Sequence, residues 1–78
     1  MAAFTAKQGQ YLAFIYNYSQ IHGEPPAERD IQRYFKVTPP TVHQMILRLE
    51  EQGFIERVPR QARRMRVLVP PEQLPPLK

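Results

Sequence analysis

Only Lys36 and Val37 separate Phe35, the last apolar residue of one helical pattern, from Thr38, which opens the next. A link that short forces two helices to cross steeply, as in a helix-turn-helix. The second stretch is marked at both ends. Thr38 carries a hydroxyl suited to accept a hydrogen bond from an orphan backbone N–H two or three residues on. Pro39 follows at the first helical position, where its missing N–H costs nothing and its fixed φ suits a helix. Gly53 supplies the left-handed residue that many helices need at their C-terminal end. Between these marks Val42, Met45, Ile46 and Leu49 recur at helical spacing, an apolar stripe for packing. Pro40, His43, Gln44 and Leu47 form the opposite ridge, flanked by Thr41, Arg48 and Glu51. A groove-reading helix needs such a division, and any amphipathic surface helix shares it. The neighbouring segments decide.

Upstream, Thr5-Ala6-Lys7-Gln8 reads as a capping box, with Phe4 placed to staple the start of a helix. Tyr11, Leu12, Phe14, Ile15, Tyr18 and Ile21 then keep helical spacing to His22, and Gly23 ends it, which predicts a first helix over residues 6–22. Its broad apolar face implies two packing partners. Gly9 weakens it by up to about 1 kcal/mol relative to alanine. Glu24-Pro25-Pro26 is no helix interior. A second helix is expected over residues 28–35, with Ile31, Tyr34 and Phe35 inward. Glu28 and Asp30 lie in its first turn and Lys36 just past its end, where the helix dipole favours them. Ala27, at the cap, is a poor one.

After Gly53 the period changes. Residues 54–58 and 65–69 read as strands, with Met65, Val67 and Val69 on one face of the second. Residues 59–64 are too many for a tight turn, so the hairpin should have a projecting tip carrying Arg60, Arg63 and Arg64, with Arg57 and Arg66 on its stems. Residues 70–78, rich in proline, are expected to lie extended or disordered beyond a domain ending at residue 69.

Charge follows the same division. The chain has 78 residues and a formal net charge of +4. Up to Gly53, Lys7, Arg29, Arg33, Lys36 and Arg48 are balanced by Glu24, Glu28, Asp30, Glu50 and Glu51, so the excess lies wholly beyond it. That asymmetry points to a polyanion, most often nucleic acid. Without cysteine there are no disulfides or thiolate metal sites. His22 and His43 have no clustered ligand partners, so no metal or other cofactor is expected. No apolar run approaches the ~20 residues that span a bilayer, and the start lacks the pattern of a secretory signal, so a cytoplasmic, nucleoid-associated protein without membrane contact is expected. No nucleophile sits beside a histidine in a recognisable motif and no Gly-rich phosphate loop is present, so neither catalysis nor a small-molecule substrate is expected.

Helix, helix, tight turn, helix and basic hairpin make a winged helix-turn-helix, mainly α with a small two-stranded antiparallel wing. Such a fold places its third helix in the major groove of double-stranded DNA. The base-facing candidates are Pro40, Thr41, His43, Gln44 and Leu47; the phosphate candidates are Thr38, Arg48, Arg57, Arg60, Arg63, Arg64 and Arg66. Gln44 can pair with adenine N6 and N7, and Thr41 can touch a thymine methyl.

The chain also resembles the N-terminal DNA-binding domain of the LexA repressor family over nearly all of residues 4–69. The resemblance rests on Phe4-Thr5-Ala6-Lys7-Gln8, Gly23-x-Pro25-Pro26, Asp30-Ile31, Pro39, and Gly53-Phe54-Ile55-Glu56. It implies a small repressor-like regulator whose bases are read from Pro40, Thr41, His43 and Gln44. The family's asparagine, alanine and paired glutamates are absent there, so its usual operator is not expected. The family's self-cleaving serine and lysine lie in a further domain outside this sequence, and damage-induced self-cleavage is not expected of it. A weak homodimer, with Tyr16, Leu74 and Leu77 near its centre, is expected to double the contact with DNA. The rival reading is a winged helix that meets another protein, with Leu47 as an apolar contact.

Overall fold

The computed structural model describes residues 4–57 and 65–78. Helix α1 runs Ala6–His22, α2 Glu28–Phe35 and α3 Pro39–Glu51; strands β1 (Ile55–Arg57) and β2 (Met65–Val67) follow, then a 3-10 turn at Pro71–Gln73. The strands pair antiparallel, with Ile55 opposite Val67, Glu56 opposite Arg66 and Arg57 opposite Met65. This is the expected winged helix-turn-helix order. Strand β1 packs on α3 and β2 on α1, so the ribbon closes the open side of the helical trio.

Local chemistry sets the ends of the helices. Thr5 N donates to Gln8 Oε1 at 2.9 Å and Gln8 N to Thr5 Oγ1 at 3.1 Å, the reciprocal capping box. Gln8 also donates to Gln52 at 2.8 Å, which ties the start of α1 to the end of α3. Ala27 offers no side-chain cap to α2, but its backbone N–H donates to Asp30 Oδ2 at 2.9 Å. Lys36 adopts φ 57° to stop α2, a left-handed position held by a non-glycine residue. At the far end of α3, Gly53 has φ 81°; its N–H donates to Glu50 O and that of Phe54 to Leu49 O, a Schellman closure.

Thr38 departs from expectation. Its hydroxyl caps no backbone N–H and instead lies 2.8 Å from the Thr41 hydroxyl. Pro39 and Pro40 have no N–H to offer, and the amides of Thr41 and Val42 both donate to the Thr38 carbonyl. Nothing is left for the hydroxyl to cap.

The core gathers Tyr11, Leu12 and Ile15 of α1, Ile31 of α2, Val42, Ile46 and Leu49 of α3, and Ile55 of β1, all under 3% exposed. Ile21 and Tyr34, expected to face inward, are 76% and 42% exposed. The last turn of α1 runs past its partners. The Tyr34 ring lies on Phe14, with centroids 4.5 Å apart.

The tail takes part in the fold. After its 3-10 turn it runs along α1, where Gln10 donates to Pro76 O and accepts from Lys78 N, each at 3.0 Å. Tyr34 donates to Lys78 O at 2.8 Å. Leu74 and Leu77 pack half-buried against the core. The tail also explains Gly9. A Cβ there would stand 2.9 Å from the Phe4 ring and 3.0 Å from Pro75, so the glycine that weakens the helix lets a ring and a strap approach it.

One core group lacks a partner. The Tyr11 hydroxyl is buried without a hydrogen bond among the described residues, on a ring stacked 4.2 Å from Phe35. Burial raises its pKa from 10.0. An acid whose folded pKa is raised contributes stability that is fully present below the unfolded value and is lost as pH climbs above it. Tyr11→Phe removes the orphan and should stabilise the chain by about 1 kcal/mol. It should also reduce the loss of stability above pH 10.0, the value from which the tyrosine is raised. Urea melts of both proteins at neutral and alkaline pH check this, and a less stable phenylalanine variant at neutral pH would refute it.

Candidate nucleic-acid interface

With Val42, Ile46 and Leu49 buried, α3 turns Pro40, Thr41, His43, Gln44, Leu47 and Arg48 outward, all of them exposed. The sequence therefore identified the outward ridge residue by residue. What flanks it on either side was not legible.

Along one edge, Thr41, Gln44 and Arg48 border a shallow hollow of about 460 Å³ whose other wall is the start of α1, with Thr5 and Lys7. Lys7 is exposed there. The hollow sets a lysine and an arginine beside two uncharged polar groups. Cations in that setting suit a phosphate, and Thr41 and Gln44 suit a base edge. The signal available in sequence was the pairing of Gln8 with Gln52, which brings the two helices side by side, but glutamines 44 apart carry no visible mark of it.

Along the other edge lies an ion network. His43 Nδ1 is 3.4 Å from Glu28 Oε2, Arg57 Nη1 is 3.8 Å from the same oxygen, and Arg57 Nε is 3.4 Å from Glu50 Oε1. Arg57 thus stands beside α3 but already has two carboxylates. Arg66 lies on the opposite face of the ribbon, 3.2 Å from Glu56 across the strands, and lines a hollow with Tyr16 and Ser19 of α1. These surface pairs hold their side chains weakly, since exposed ion pairs contribute at most about 1 kcal/mol each. Thr38 stays exposed at the head of α3. Arg60, Arg63 and Arg64 lie outside the described residues, as does Val58.

The three residues expected at a dimer centre do lie together. Tyr16, Leu74 and Leu77 line one open apolar groove along α1, with Ile21 at its rim. Leu74 and Leu77 are partly spent on this chain's own core. No helix among the described residues is long and apolar enough to cross a membrane.

A buried rear stripe, an exposed polar ridge and a ribbon beside it define a winged-helix DNA-binding domain. The chain belongs to the family described as the iron dependent repressor, N-terminal DNA binding domain, whose model matches residues 3–62. It is 43% identical over 63 residues to the LexA repressor of Thermosipho melanesiensis, a match covering 81% of this chain and 32% of that protein. It is 39% identical over 72 residues to the LexA repressor of Thermosipho africanus, covering 92% of this chain and 36% of that one. The LexA repressor of Bartonella quintana is 37% identical over 71 residues, covering 90% and 30% respectively. The chain thus spans about a third of the length of these relatives. The family's description names iron, but among the described residues no three His, Asp or Glu side chains converge as a metal site would require.

Proposed function

We propose that this chain is the DNA-binding module of a non-enzymatic, repressor-type regulator acting in the cytoplasm. In this reading α3 enters the major groove of a specific duplex. Thr41, His43, Gln44, Leu47 and Pro40 meet base edges, while Arg48, Lys7 and the arginines of the wing hold phosphates. The observation that carries it is the exposed ridge of α3, whose Thr41 and Gln44 stand between a buried rear face and the cationic hollow of Lys7 and Arg48. The LexA repressors it resembles support a repressor role.

The test is selection from a pool of random duplexes followed by sequencing. A defined motif should emerge. An inverted repeat with half-sites about one helical turn apart would add a homodimer to the reading, and a lone half-site would remove it. Gln44→Ala should cost roughly 1–3 kcal/mol on the selected site and relax preference at one position. An equal loss on random DNA would make Gln44 a backbone contact instead. The exposed Leu47 keeps a protein-interaction reading in view. In that case no motif would be enriched from the pool, and binding to a selected duplex would be no tighter than to random DNA.

A further inference from the structure

His43 stands on the outward ridge with an imidazole, and it is held from behind. Its Nδ1 lies 3.4 Å from Glu28 Oε2, joining α3 to α2 between residues 15 apart in sequence. The charged group against this imidazole is Glu28 from α2, whose same carboxylate oxygen lies 3.8 Å from Arg57 of β1, and Glu50 from α3 holds Arg57 at 3.4 Å. The ring itself is half exposed, and its Nε2 has no hydrogen-bond partner among the described residues.

An ionised carboxylate only accepts hydrogen bonds. The nitrogen beside it must therefore carry the hydrogen, and in a neutral ring the other nitrogen is left with a lone pair. We infer that Glu28 sets the hydrogen-bonding sense of His43, so that the base preferred opposite His43 changes with pH. This rests on the reading of α3 as a groove helix. With neutral His43, Nε2 is an acceptor and suits the exocyclic amines of adenine N6 or cytosine N4. The protonated ring donates from both nitrogens, and Nε2–H then suits guanine N7 or O6. Imidazoles as a class change charge between about pH 5 and 8, within reach of ordinary buffers. No other ridge residue alters its donors over that range.

Two measurements test this on the whole chain. The first needs no DNA. Nitrogen-15 shifts of the imidazoles, with His22 as internal comparison, should show the Nδ1–H tautomer for neutral His43 and its loss in Glu28→Ala. The second repeats the random-duplex selection at pH 5.5 and 7.5. The position facing His43 should move from adenine or cytosine to guanine on acidification, by on the order of ten-fold in relative enrichment, while the position read by Gln44 stays unchanged. His43→Ala should abolish preference at that one position at both pH values, and Glu28→Ala should broaden it at pH 7.5. The same motif at both pH values, or an Nε2–H tautomer in the parent protein, overturns the inference while leaving DNA reading intact. No motif at either pH overturns both.

Discussion

Replacing Ile46 with alanine is expected to remove about 2–5 kcal/mol of stability, whereas the same change at its neighbour Leu47 should leave stability nearly untouched. Ile46 is fully buried in α3 and Leu47 is 41% exposed. A domain of this size holds only about 4–12 kcal/mol in total, at roughly 0.05–0.15 kcal/mol per residue. Ile46→Ala would thus leave a chain that is marginal at physiological temperature, and its DNA binding would fail through loss of the folded helix. Leu47→Ala should melt like the parent yet bind its selected duplex more weakly, with the loss confined to one base position. Thermal melts and titrations of both variants check the contrast. Similar melting curves for the two would mean that α3 is turned differently about its axis.

Changing Arg60, Arg63 and Arg64 together to alanine should weaken binding to every duplex alike. Each phosphate contact contributes about 0.9 to the slope of log affinity against log salt, so the slope should flatten by roughly 2.7 if all three are engaged. Arg57→Ala should do less than one full contact, because Glu28 and Glu50 already share its charge. Titrations of selected and random duplexes across a salt series read both numbers. An unchanged slope in the triple variant would remove the wing from the interface.

The helices were legible because their limits are local. Thr5 with Gln8 starts α1, Gly23 ends it, and the crossing at Lys36 and Val37 follows from a count of residues. The outward ridge of α3 was legible for the same reason, since a helical period assigns both faces at once. Other features depend on what folding brings near. The tail reads as loose because proline describes its backbone; that Leu74 and Leu77 would find α1 depends on the gap left by Gly9. Tyr34 read as core by spacing, but α2 is short and its last turn meets the tail instead. Lys7 and Glu28 carry no sequence mark of their place beside the α3 ridge, for each reaches α3 only across a helix crossing. Thr38 is the instructive miss: its residue type fits a cap, but Pro39 and Pro40 offer no amide and those of Thr41 and Val42 donate to its carbonyl instead of its hydroxyl.

Those two prolines bear on docking in a further way. A helix frays first at its ends, and a groove-reading helix meets base edges with its N-terminal turn. Rings at Pro39 and Pro40 hold φ near about −65° whether or not DNA is present. Each restricts the free chain by about 0.4–1 kcal/mol of conformational entropy relative to an ordinary residue at a compatible site. The leading turn of α3 therefore has little freedom left to surrender on contact, and adaptation to one base sequence or another falls to side chains rather than to backbone.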